Sequence, residues 1–155
     1  MDKTDRSTPG QRYKRPESVL VVVYTTAGST LLLERRIPVG FWQSVTGSLE
    51  ADESPAAAAA RELTEETGIA GVGVRDLEQS ARYPIAFAWR ARYAPDVTHN
   101  LERYFACSLS APVQIRLAAH EHVGYAWLSF EDAIARVSSP SNRGLLERIA
   151  REMRS

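Results

Sequence analysis

The apolar positions of this chain fall into two periods, and the switches between them mark its elements. Ser18-Val19-Leu20-Val21-Val22-Val23-Tyr24 is a continuous, largely β-branched run. A short run without polar alternation predicts a strand buried on both faces. Thr25 to Ser29, with Gly28, reads as a turn, and Thr30–Arg35 resumes an apolar strand, so a hairpin is predicted. Arg36 to Gly40 carries Pro38 and forms a loop; Phe41–Thr46 then reads as one short strand. Next the period lengthens. Ser54 is a good N-cap, Pro55 suits the first helical position, alanines fill 56–60, and Gly68 can end a helix in the left-handed conformation. A helix over 55–67 follows, with Ala56, Ala59, Ala60, Leu63 and Thr67 on one narrow stripe that lets it lie close to a sheet.

Beyond that helix, Val74–Ala88 reads as one or two strands and Trp89–Asn100 as a polar loop punctuated by Pro95. Leu101–Leu109 and Glu121–Leu128 read as strands, while Ala111–Ala119 fits no single element. Ser129 can cap a helix whose first turn holds Glu131 and Asp132. Leu145, Leu146, Ile149 and Met153 recur at helical spacing over Arg143–Met153. Strands and helices mixed in this order predict the α/β class, with helices on both faces of a mixed sheet. Residues 1–11 are polar and include Pro9-Gly10, so they read as a flexible tail before a single domain over 12–155.

Composition narrows the function. A chain of 155 residues with 44% hydrophobic and 25% charged positions can bury one real core. Lys plus Arg equals Asp plus Glu at 19 each, which argues against a nucleic-acid partner held by a global basic field. Val19–Val23, the longest apolar run considered, is too short to cross a membrane, and the N-terminal stretch shows no signal-like apolar segment. Cys107 stands alone, which excludes an internal disulfide, fits a reducing cytoplasm and reads as a core residue.

The chemistry concentrates between Gly47 and Ile69. On the 55–67 helix, Glu62, Glu65 and Glu66 share an arc roughly 100° wide. Like charges one turn apart destabilise a helix by about 0.2–0.5 kcal/mol, and carboxylates near a C-terminus oppose the dipole. A hard divalent cation turns that liability into a site, since carboxylate oxygens suit Mg²⁺ or Mn²⁺. The other reading is a solvated acidic face partnered by Arg61.

The same stretch has the form G-x5-E-x7-R-E-U-x-E-E-x-G-U, with U a bulky aliphatic residue and every specified position filled. On that motif the chain is identified as a member of the Nudix superfamily. The resemblance implies an α/β/α sandwich and a pyrophosphohydrolase whose glutamates hold Mg²⁺, with Mn²⁺ as the alternative. It implies that Glu62 and Glu66 are metal ligands, that Glu65 binds a further ion or helps activate water, and that Gly47, Glu53 and Arg61 give structural support, Glu53 pairing with Arg61.

The resemblance extends beyond the motif. YKRPESVLVVVY, ERR, FWQSVTGSLE, RYAPDVTHNLERYF, EHVGYAWL and SNR are similar to the bacterial dihydroneopterin triphosphate pyrophosphatases, over about Tyr13 to Asn142. This branch acts in folate biosynthesis, cutting 7,8-dihydroneopterin 3′-triphosphate to the monophosphate and pyrophosphate. It implies Glu121 as a third metal-binding glutamate and, with Glu65, a candidate to position or deprotonate water, Glu66 completing the catalytic set. It implies Lys14 and Arg35 as triphosphate contacts, Thr46 as a substrate contact through hydroxyl or backbone, and Asn142 as an amide that reads a ring edge. Asn142 also reads as a helix N-cap, Trp42 as a stacking partner or a core residue, and His120 and His122 as groups able to assist the chemistry or as solvent-facing loop histidines. Tyr83 to Ala86 departs from the branch's more aromatic and acidic pattern, which makes Tyr83 the position to watch for substrate preference.

Other outcomes stay open on these residues. One is a housecleaning Nudix pyrophosphatase for dATP or oxidised dNTPs, or an enzyme for dinucleoside polyphosphates. Another is a Nudix domain that binds a nucleotide without catalysis. A third is an RNA pyrophosphohydrolase using Lys14, Arg15, Arg35 and Arg36. The partner in the leading reading is a small pterin or nucleoside triphosphate; oligomeric state is not legible.

Overall fold

A computed structural model describes residues 13–71 and 73–155; the tail expected over 1–11 lies outside them. The β-branched run forms β1 (Glu17–Thr25), which turns through Gly28 (φ 108°) into β2 (Ser29–Arg35). The two strands pair only at the turn end, through Tyr24 and Thr30, and then part. β1 continues against β4 (Val45–Ser48) and, in parallel, against β6 (His99–Leu109). β2 continues against β3 (Trp42–Gln43) and β7 (His122–Ser129). β5 (Val74–Pro84) closes the far edge on β6. Among the described residues this makes one mixed, seven-stranded sheet.

Alternation along β1 divides the core. Val19, Val21 and Val23, with Leu31, Leu33, Val45 and Phe105, pack on Ala58, Ala59 and Leu63 of α1 (Pro55–Thr67). Leu20, Val22 and Tyr24, with Leu32 and Ala106, pack on α2 (Phe130–Arg136) and α3 (Pro140–Met153) through Phe130, Ala133, Leu145, Leu146 and Ile149. The fold is thus an α/β/α sandwich. Each fully buried Val or Leu contributes roughly 2 kcal/mol, and both faces of β1 supply such residues, so this strand is the spine of the molecule.

Several boundaries differ from the sequence reading. Phe41–Thr46 is two strands, because Ser44 breaks the ladder and sends β3 to β2 and β4 to β1. Val74–Ala88 is a single strand ending at Pro84. The stretch read as loop from Trp89 overlaps a 3₁₀ turn (Phe87–Arg92), and its last two residues join β6. α3 starts at Pro140 with Ser139 as its cap, accepting from Asn142 N, so Asn142 is inside the helix and not its N-cap. The buried stripe of α1 uses Ala58 where Ala56 was expected, and includes Glu62 and Glu66. β4 and the loop after it cover that side of the helix, so its functional face runs on from its core face.

Candidate active site

Arg61 organises the loop that feeds α1. Its Nε and Nη2 donate to the two carboxylate oxygens of Glu53 at 2.7 and 2.8 Å, and Nη2 also donates to Ser48 O at 3.1 Å. Its Nη1 reaches Glu62 at 3.0 Å and Glu65 at 3.2 Å. A planar guanidinium serves this role because its donors diverge in fixed directions. The Glu53 carboxyl is held below the usual range, first by its bond to Arg61.

Where β4 meets this loop, Gly47 faces Glu62. A Cβ at Gly47 would stand 2.0 Å from Glu62 Oε2, so any larger residue must displace the Glu62 carboxylate. One turn on, Glu66 is 3% exposed and its Oε1 has no partner. Burial raises the pKa of both carboxyls; for Glu66, the Glu62 charge and the hydrogen bond between them push it well above the usual range, opposed by the Thr46 backbone N–H. Two buried acids one turn apart on α1, one oxygen orphaned, fit a hard divalent cation by donor type and by need. Among the described residues no three acidic, His or Cys groups already converge as an ion cage. Glu121 stands apart, half-exposed, with its Oε2 3.4 Å from His120, yet its charge is felt at Glu66.

Opposite these acids lie cations. The Lys14 amine is held below the ordinary lysine range by loss of hydration, then by Arg92 and Arg35, with Glu62 and Glu121 pulling the other way. Arg35 is lowered too, by burial first and then by Arg92. Among the described residues none of Lys14, Arg35 and Arg92 is in an ion pair. The 3₁₀ turn clamps the other two: Lys14 N donates to Arg92 O at 2.8 Å, and Arg35 lies 5.7 Å from the Trp89 ring centre and 6.0 Å from that of Phe41. Arg92 was missed in the sequence; the basic run WRAR before Tyr93 was its signal.

The remaining expected residues occupy varied positions. The Thr46 hydroxyl donates to Val19 O at 2.8 Å, leaving its backbone for the carboxylates. Asn142 is 1% exposed: its Oδ1 accepts from Ser44 N at 2.8 Å and its Nδ2 donates to Ser44 Oγ at 2.9 Å. It therefore locks the β3–β4 junction, a role shared with the unanticipated Ser44. Tyr83 is half-buried at the end of β5, and burial, then Glu102, pushes its phenol up to about 12. Trp42 packs at the edge of the α2–α3 core with Arg136 5.0 Å from its ring centre. His122 is buried, not solvent-facing; its Nδ1 has no partner and burial, the largest cause, lowers its pKa. Arg36 grips the Glu121 loop, its N donating to Glu121 O at 2.8 Å and its Nη2 to Ala119 O at 2.7 Å.

An α/β/α sandwich that sets buried paired carboxylates against unpaired cations is built for metal-assisted work on phosphate chains. The chain belongs to the Nudix family: the NUDIX domain model matches residues 14–149. It is 41% identical over 140 residues to the dihydroneopterin triphosphate diphosphatase of Escherichia coli K12, covering 87% of this chain and 92% of that protein. It is 36% identical over 136 residues to the enzyme of the same name from Haemophilus influenzae, covering 84% and 85%. The solved E. coli dihydroneopterin triphosphate pyrophosphohydrolase superposes with a TM-score of 0.84 at 40% identity, over 90% of this chain and 98% of that one. Nudix hydrolases generally use divalent metal ions. Among the described residues no helix is long and apolar enough to cross a membrane.

Proposed function

We propose that this protein hydrolyses 7,8-dihydroneopterin 3′-triphosphate to the monophosphate and pyrophosphate, using Mg²⁺, in the reducing cytoplasm. One observation carries the reading: three cations without ion-pair partners among the described residues stand across from the buried, neighbouring carboxylates of Glu62 and Glu66. That charge arrangement lacks only a polyanion and a divalent cation. The named relatives supply the pterin.

Glu62, Glu66 and Glu121 would hold the ion. When bound, it supplies Lewis acidity, neutralising phosphate charge and making water easier to deprotonate. The chain's own residues do the rest. Lys14 and Arg35 bind and orient the triphosphate, Arg35 through a planar fork that matches phosphate oxygens. Glu65 and Glu121 are the carboxylates exposed enough to accept a proton from water; Glu65 is tied to Arg61, whereas Glu121 meets only His120 among the described residues. Water attacks the α-phosphorus in line, the bond from that phosphorus to the bridging oxygen breaks, and the cations stabilise the departing pyrophosphate. Thr46 holds Glu66 through its backbone, and Tyr83 and Asn142 border the ring end of the site.

Glu62→Gln tests this directly. It should lower kcat at least 10³-fold, on the order expected for losing a charged catalytic partner, and leave the fold intact by circular dichroism. Hydrolysis persisting within tenfold of wild type would exclude Glu62 from the metal set.

A further inference from the structure

A second buried carboxylate lies on the opposite side of the sheet from α1. Glu102, on β6, is 5% exposed and meets no cation among the described residues. It accepts from Ser141 Oγ at 2.9 Å and from Tyr83 Oη at 3.4 Å. Beside it Asn100 is 3% exposed. The Asn100 amide donates to Ser18 Oγ at 2.8 Å and to Tyr83 Oη at 3.3 Å. With the Tyr83 hydrogen given to Glu102, the phenol accepts from Asn100, and Asn100 Oδ1 is left without a partner.

The cluster holds more acceptors than donors. A carboxylate offers about four lone-pair sites; Ser141 and Tyr83 take two, the Tyr104 phenol also lies against the carboxylate, and the amide oxygen uses none. Burying unmet polar atoms is costly. Their complement is a group presenting adjacent N–H donors. The position suits a substrate: Ser18 pairs with Ser48, one residue past Gly47. The two longest bonds in the cluster both involve the half-buried Tyr83 hydroxyl, and those are the bonds an incoming donor replaces.

We propose that Glu102 and Asn100 read the ring of the substrate, accepting the side-by-side N–H and NH₂ donors of a 2-amino-4-oxopyrimidine edge, the edge shared by pterins and guanine. The proposal deepens the reading above and rests on it for the triphosphate end of the site. It makes Glu102 a specificity residue: adenine, which sets its one amino donor beside the N1 acceptor and has only a C–H at position 2, cannot offer the carboxylate two adjacent donors.

The test uses wild-type protein and Glu102→Gln, with kcat/KM for dGTP, dITP and dATP alongside dihydroneopterin triphosphate. Wild type should prefer dGTP over dITP, which lacks only the 2-amino group, by at least tenfold. Glu102→Gln should raise KM for the pterin at least tenfold with a smaller change in kcat, and cut the dGTP-to-dATP ratio by a similar factor. Fluorescence titration with neopterin, which has no phosphates, should show weaker binding to the variant. Equal use of dGTP and dITP by wild type overturns the proposal without needing the variant to fold. So does a Glu102→Gln protein whose dGTP-to-dATP ratio stays within twofold of wild type. Failure of the pterin reading shows separately, as wild-type protein that turns over dihydroneopterin triphosphate no faster than dATP.

Discussion

Gly47 carries no side chain, yet the site depends on it. Its absent Cβ is the space that Glu62 occupies. Gly47→Ala should therefore move Glu62 and lower kcat about 100-fold or more, with a far smaller effect on KM, since a 1 Å misplacement can cost about that much. Normal turnover would show that Glu62 has room to move. Glu66 makes a second prediction. Its folded pKa lies above the unfolded value, so between the two the folded state binds more protons. Stability from this group is fully present below the usual value of 4.5 and is lost as pH rises through the raised pKa. In EDTA, the wild-type Tm should fall relative to that of Glu66→Gln between pH 5 and pH 8. Mg²⁺ at pH 8 should restore wild type and leave the variant unmoved. Parallel Tm profiles for the two proteins would remove the case for a metal at this pair.

At the scale of elements, the splitting of the β1–β2 hairpin matters most. β1 and β2 part beyond Tyr24 and Thr30, and β3 and β4 diverge at Ser44 to serve one strand each. Asn142 reaches across from α3 to satisfy both the backbone N–H and the hydroxyl of Ser44. Asn142→Leu should cost about 2 kcal/mol or more, since it leaves a buried donor unmet, and the loss should appear in Tm as well as in kcat. A rise in KM with Tm unchanged would return Asn142 to direct substrate contact. The 3₁₀ turn Phe87–Arg92 is the other consequential element, because it links Lys14 to Arg35 through one backbone bond and one ring.

Across the whole molecule, what the sequence revealed follows from the range of the forces involved. The α1 helix was legible to the residue because its signals are local: Ser54, Pro55, the alanines and Gly68 all act within a turn. β1 was legible because burial on both faces leaves no alternation. Asn142 was ambiguous because an amide at a helix start fits a cap, a lock or a ligand contact, and only the distant Ser44 decides where it points. His122 looked solvent-facing beside Glu121, but strand alternation at the start of β7 turns it inward toward Gln43, 3.3 Å away. Arg92 and Glu102 were invisible because their meaning lies in neighbours far along the chain. The substrate is the feature least determined by local signals.

Turnover of the pterin is tested by kcat/KM with Mg²⁺ for dihydroneopterin triphosphate against dATP and 8-oxo-dGTP, assaying released pyrophosphate and phosphate separately. A preference of at least tenfold for the pterin is expected, with pyrophosphate as the product. A flat profile, a preference for a dNTP, or release of phosphate alone would contradict it and point first to Tyr83–Ala86.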